Sequence, residues 1–278
     1  MNESLKRYVQ KIEKLPTVPL IAQEILNLVG DDLTSVGKIE RVVENDPAIS
    51  AKILSVANSV FFGVKVRTKT LDSAIMRIGF SNVKNIALGI SLMTVLQDGD
   101  RGEVFDYKRL YNHSVTVGFV ARLLSRNLKL DFSEEIMMNG MLHDLGYLVL
   151  NRYFSEMYKD VLESFDHGNS LLEAEKTVLG FDHTDIGSWL AGQWNLPNSI
   201  LDTTVYHHAP SLAKRNLTRV AVTHLADYIT TQKMLSPTEK DPHYPFDRSS
   251  LDILKITEED FRDLEAEISG DSCSNEIF

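Results

Sequence analysis

Apolar residues in this chain recur at the 3.6-residue period of a helix almost throughout. No convincing run alternates at the two-residue period of a half-buried strand. Ile21, Ile25, Leu28 and Val29 form one stripe, and Val36, Ile39, Val42 and Val43 a second. Asn45-Asp46-Pro47 reads as a helix start, with a side-chain oxygen to cap and proline in the first turn. Ala48, Ile49, Ile53, Val56 and Ala57 continue from it, and Gly63 is a candidate left-handed C-cap. A short helix through Leu71, Ile75 and Ile78 precedes a longer one from Val83 to Val95. A short strand pair between Val60 and Thr70 is the one alternative to helix. The expected fold class is all-α.

The polar run Gln97-Asp-Gly-Asp-Arg-Gly102 is the best internal boundary. It separates an N-terminal helical half, residues 1–98, from a second half, residues 103–235, with an extension over 236–278. In the second half Leu110, His113, Val117, Val120 and Leu124 share one face of a long helix. Ser133, before Glu134 and Glu135, reads as the N-cap of a helix from Ile136 to about Asp144. Leu171 to Leu179 closes at Gly180, and the next helix runs from Thr184 to Trp194, with Asp182 a candidate cap. Pro197 opens a helix that delivers His207-His208 at its end, and Leu217 to Ile229 contains Asp227. Thr257-Glu-Glu-Asp260 resembles a capping box and starts a last helix, while Ser269 to Phe278 reads as a fraying tail.

These helices carry polar interruptions of one chemical kind. His113, His143-Asp144, His183, His207-His208 and Asp227 follow one another in the order H…HD…H…HH…D. Imidazole nitrogen and carboxylate oxygen are ligands for divalent transition metals. Taken singly, each reads more readily as a core residue satisfied by a neighbour, or as a helix cap, than as a ligand. Jointly, four or five helices each bring one or two such groups to an otherwise apolar pattern, as in helix-bundle metal sites. A bound cation explains how carboxylates come to be buried. It also lowers the pKa of its water.

The charge balance narrows the partners. With 29 basic and 39 acidic residues the net charge is −10, which argues against a DNA duplex or an anionic membrane surface. Lys65, Arg67 and Lys69 read as a solvated loop. Cys273 is the only cysteine, so no disulfide forms within the chain. The charged N-terminus has no signal-peptide core, and no run approaches the roughly 20 apolar residues of a membrane span. A cytoplasmic location is expected. Phe61, Phe62 and Phe80 read as core.

His113, His143-Asp144 and Asp227 together resemble the HD superfamily of metal-dependent phosphohydrolases. Leu15-Pro-Thr-Val-Pro19, Asn45-Asp-Pro47, Ile53-Leu-Ser-Val-Ala-Asn58, Ala74-Ile-Met-Arg-Ile-Gly79, Trp194-Asn-Leu-Pro197 and Tyr206-His-His208 resemble the HDOD, or HD-related output domain, family over about residues 10 to 230. The resemblance implies an HD-like helical bundle with an N-terminal helical subdomain, acting as a bacterial signalling module. Many members of that family lack part of the metal set and are thought to act by binding, whereas every ligand type is present here. By similarity to two-metal HD enzymes, His113, His143, Asp144 and Asp227 would hold one ion, Asp144 would bridge, and His183, His207 and His208 would hold the second.

Two departures speak against cyclic di-GMP hydrolysis. Related phosphodiesterases carry a lysine soon after the His-Asp pair, where Tyr147 stands, and a glutamate after the double histidine, where Ala209 stands. A phenol brings no positive charge to a phosphate. Three functions follow. The first is a regulatory output module that binds a metal and a signalling protein partner or a nucleotide ligand. The second is a metal-dependent phosphohydrolase acting on a nucleotide or phosphoester, with His183 or His208 shuttling a proton if it is not a ligand. The third is a helical scaffold whose histidines and carboxylates satisfy one another. Mixed His/Asp ligation suits iron, manganese, zinc or nickel alike, as one or two divalent ions.

Overall fold

The computed structural model describes residues 2–27, 40–41, 43–44, 46–59, 67–96, 106–133, 135–166, 168–234 and 244–270. Outside them lie Leu28 and Val29 of the first expected stripe, Val36, Ile39 and Val42 of the second, and Gly63. Phe61, Phe62, the boundary run 97–102 and most of the alternative strand pair also lie outside. Among the described residues the architecture is all-α, with no strand.

The N-terminal half comprises α1 (Glu3–Val9), α2 (Leu20–Asn27), α3 (Pro47–Ala57), α4 (Leu71–Ile78) and α5 (Phe80–Thr94). Asp46 caps α3 as expected, accepting from the N–H groups of Ala48 and Ile49 with Pro47 at the first position. Gly79 turns α4 into α5 at φ 84°, a value costly for a residue with a Cβ. Helix α5 packs against α2 and α3, and Phe80 rests partly buried on the core.

The second half begins with α6 (Tyr107–Asn127), which carries His113, and α7 (Ile136–Leu142). Gly118 and Gly140 let these two helices touch: a Cβ on Gly140 would lie 2.7 Å from the Gly118 Cα. Helix α7 differs from expectation at both ends. Ser133 is not its cap, because the Phe132 carbonyl already accepts from the N–H groups of Glu135 and Ile136, closing the first turn through backbone. It also stops at Leu142. A separate helix, α8 (Leu145–Asp166), follows, so His143 and Asp144 stand at the junction between the two.

Helix α8 is kinked at Phe154 and packs on α9 (Leu171–Leu179) and α10 (His183–Gln193). Gly180 closes α9 in the left-handed conformation, and Asp182 caps α10 in a reciprocal box with Asp185. Next come α11 (Asn198–Tyr206) and α12 (Leu217–Ile229), the latter running into a wider turn over Thr230–Met234. Two further helices follow, α13 (Ser249–Leu254) and α14 (Glu258–Gly270). Thr257 and Asp260 form the expected box at the start of α14. The larger core joins Leu92 and Met93 of α5 to Met137 and Met141 of α7, and a smaller one joins α6, α12, α13 and α14. Among the described residues no helix is long and apolar enough to cross a membrane.

Candidate metal centre

Each of the seven expected residues arrives from a helix or a helix end. His113 projects from α6, His143 and Asp144 from the α7–α8 junction, and His183 from the first position of α10. His207 caps the C-terminus of α11, His208 follows it, and Asp227 lies in the last turn of α12. All seven meet in one place. Two close approaches make this possible. A Cβ on Gly146 would sit 1.8 Å from the His183 carbonyl oxygen, so only glycine lets α8 start against α10. Gly187 is wedged in the same way, with its Cβ position 2.9 Å from the Gly146 nitrogen.

Asp144 divides the cluster. Its Oδ2 lies 3.1 Å from His143 Nε2 and 3.6 Å from His113 Nε2. Asp227 Oδ1 joins that side, 3.1 Å from His113 Nε2 and 3.7 Å from His143 Nε2. The other oxygen, Oδ1, lies 3.5 Å from both His183 Nε2 and His207 Nε2. On that side His183 Nε2 is 3.4 Å from His207 Nε2 and 3.1 Å from His208 Nε2. Two ligands each about 2.1 Å from one ion stand about 3.0 Å apart at a right angle and about 3.4 Å apart at the tetrahedral angle. The separations, 3.1 to 3.7 Å, fall within this span or up to about 0.3 Å beyond it.

The tautomers support the same reading. His143 Nδ1 lies 2.7 Å from the Gly140 carbonyl, and His207 Nδ1 lies 3.1 Å from the carbonyls of Thr203 and Thr204. A carbonyl only accepts, so in both rings Nδ1 carries the hydrogen and Nε2 offers its lone pair inward. His183 Nδ1 is held 2.7 Å from Glu175 Oε2. This arrangement of an outer acceptor fixing a ligating imidazole is usual at metal sites. His143 Nε2 is fully buried and turned only toward carboxylates, Asp144 at 3.1 Å and Asp227 at 3.7 Å. The donor set therefore fits a divalent cation.

Electrostatics agree. Burial would raise the Asp144 and Asp227 carboxyls, yet the imidazoles around them, His143 foremost, hold both well below the usual carboxylate range. Burial would lower His143, but Asp144 and Asp227 outweigh it and hold the imidazole well above its ordinary value. His183 behaves alike: Glu175 overcomes burial and pushes it up to about 9. His207 and His208 are lowered, chiefly by burial. With protons alone to balance the buried carboxylates of Asp144, Asp227 and Glu175, the cluster keeps them on His143 and His183, and a divalent ion would supply positive charge in their place.

Three contributors escaped the sequence reading. Glu175, fully buried on α9, accepts from the His183 N–H at 2.8 Å, from its Nδ1 at 2.7 Å and from the Tyr158 hydroxyl at 2.5 Å. Its signal was a carboxylate in the Leu171–Glu175–Leu179 stripe, where an apolar residue is expected. His224, also buried, donates from Nδ1 to the His207 carbonyl at 2.7 Å. Tyr244 donates to Asp227 Oδ2 at 2.7 Å, and nothing in its polar surroundings announced that. Tyr147 is buried and stacks on the His183 ring at 4.3 Å, with burial raising its hydroxyl well above the ordinary range.

Comparison with known proteins agrees with this architecture. A crystal structure of an HDOD domain protein of unknown function from Geobacter sulfurreducens superposes with a TM-score of 0.84 at 20% identity, covering 99% of this chain and 97% of that one. A proposed phosphohydrolase from Shewanella amazonensis SB2B superposes at 0.74 with 20% identity, covering 97% and 96%. A proposed signal transduction protein from Marinobacter aquaeolei VT8 superposes at 0.73 with 23% identity, covering 95% of this chain and 61% of that one. An uncharacterized protein of Treponema pallidum (strain Nichols) is 25% identical over 255 residues, or 90% of this chain, which spans about half of that relative's length. The HDOD domain family model matches residues 15–210, and the chain belongs to the HDOD domain family.

Proposed function

We propose that the chain is a signal-transduction output module built around a divalent metal centre. His113, His143, Asp144 and Asp227 lie on one side of the Asp144 carboxylate, and His183, His207 and His208 on the other. One observation carries the reading: three imidazoles spend their Nδ1 hydrogens on Gly140, Glu175 and the end of α11, leaving three Nε2 atoms turned toward one carboxylate. One or two ions of iron, manganese, zinc or nickel suit these donors. When bound, such an ion polarises a coordinated water or phosphate oxygen. The residues themselves hold it, fix its orientation through Glu175, and shield it, since only His113 and His208 of the seven are more than marginally exposed.

Output by binding, to a signalling protein or a nucleotide, is favoured by two features. The cluster is largely enclosed, and Tyr147 packs on His183 where a phosphate-clamping cation would be needed. The division into residues 1–98, 103–235 and 236–278 and a cytoplasmic location belong to the same proposal. Elemental analysis of the purified protein beside His143→Ala tests it. One or two equivalents of metal in the wild type and a clear loss in the variant are expected, and a wild type without bound metal would sink the reading.

A phosphohydrolase is the second reading, favoured by the way the two Asp144 oxygens face separate ligand groups, as a bridging carboxylate would. Its test is turnover of nucleotides and p-nitrophenyl phosphate by the metal-loaded protein. Turnover that disappears in Asp144→Ala favours hydrolysis over binding.

A further inference from the structure

The short segment Tyr244–Asp247 enters the C-terminal extension beyond the residues the family model matches, and it reaches the cluster by two routes. First, the Tyr244 hydroxyl donates to Asp227 Oδ2 at 2.7 Å. Its ring lies 5.3 Å from that of His208 and 5.9 Å from that of His224. Second, the Asp247 N–H donates to His224 Nε2 at 3.0 Å. Burial lowers His224 to about 4, so this nitrogen remains an acceptor, and the opposite side of the same ring holds the His207 carbonyl. Two anchors fix the segment from outside. The Phe246 ring packs on Tyr228 and Phe261, with centroids 4.6 and 5.7 Å away. The Asp247 carboxylate accepts from the Ser211 hydroxyl at 2.8 Å.

We propose that this strap is part of the metal centre and governs ion exchange, with Tyr244 as the positioning residue that makes Asp227 a one-oxygen ligand. The division of labour on Asp227 is the reason. Its Oδ1 faces His113 and His143 and accepts from the Thr231 hydroxyl at 3.2 Å with one lone pair, leaving the other for an ion, while its Oδ2 is taken by the phenol. A carboxylate with one oxygen held this way cannot swing to chelate through both, nor rotate outward to let the ion go. The inference rests on the metal-holding reading.

The test uses cobalt(II) as a visible probe. Wild type, Tyr244→Phe and Tyr228→Phe are stripped of metal, loaded with cobalt and mixed with excess EDTA while the d–d absorbance is followed. Tyr244→Phe removes one hydroxyl and should release cobalt about 10- to 100-fold faster, the range typical of lost outer-shell partners. Its cobalt spectrum should shift as Asp227 changes its mode of ligation. Tyr228→Phe, in the same aromatic cluster, should match the wild type. A wild type that takes up no cobalt overturns the metal-holding reading and this inference together. Cobalt that binds normally and leaves Tyr244→Phe at the wild-type rate overturns this inference alone. So does a lower melting temperature without faster release, which marks a purely structural role.

Discussion

Glu175 accepts two hydrogen bonds from His183, one from its backbone N–H at 2.8 Å and one from its ring at 2.7 Å. A single buried carboxylate therefore fixes both the start of α10 and the plane of a candidate ligand. In Glu175→Gln the side chain keeps its shape but loses its charge, and metal affinity should fall about 10- to 100-fold. Glu175→Ala strands the His183 donors in the core and should cost about 3 kcal/mol or more. Competitive metal titration and chemical denaturation separate the two effects.

The contact between Gly146 and the His183 carbonyl predicts a second, purely steric effect. The clash that a Cβ would make is with backbone rather than with a flexible side-chain tip. Gly146→Ala should therefore push α8 away from α10 and destabilise the protein by about 3 kcal/mol, the upper end for overpacking. It should also pull Asp144 away from His183 and weaken metal binding. Equilibrium unfolding with elemental analysis of the folded fraction measures both.

Among the described residues, Asp144 alone turns one oxygen to each ligand group. Loss of a ligand on one side should thus differ from loss of the divider. His113→Ala and His208→Ala should each remove no more than one equivalent of metal, whereas Asp144→Ala should abolish binding. Metal content by mass spectrometry across the three variants checks the pattern, and equal losses in all three would contradict a shared carboxylate.

Much of this arrangement was legible in the chain, and the remainder had a physical reason to stay hidden. The helices of the second half followed from period and caps: Asp182, Gly180 and Thr257 sit where their side chains or φ values are needed. His143-Asp144 stood out because two ligand types are adjacent, but the break after Leu142 did not, since Leu145, Leu148 and Val149 continue the apolar period across it. Ser133 misled because backbone carbonyls can close a helix start as well as a hydroxyl can. Glu175 left a trace, a charge within an apolar stripe. Tyr244 left none, because its partner lies on α12 and only the tertiary fold brings the two together.

The imidazoles also predict how acidity acts on the protein stripped of metal. Burial lowers His224 to about 4 and also lowers His207 and His208. Between about pH 4 and the unfolded histidine value near 6.5, the unfolded chain therefore binds more protons, and stability rises with pH. Above that value the sign reverses. His183, raised to about 9, and His143, raised as well, still hold protons that the unfolded chain has released, so stability declines as pH climbs toward 9. The melting temperature of EDTA-treated protein should pass through a maximum near pH 6.5. A bound divalent ion replaces the protons on His143 and His183, so loading should abolish the alkaline decline. Metal affinity should in turn rise with pH until His183 is deprotonated near 9. Thermal melts from pH 5 to 9, with and without metal, test this: a decline of equal slope in both forms would show that the ion does not take the place of those protons.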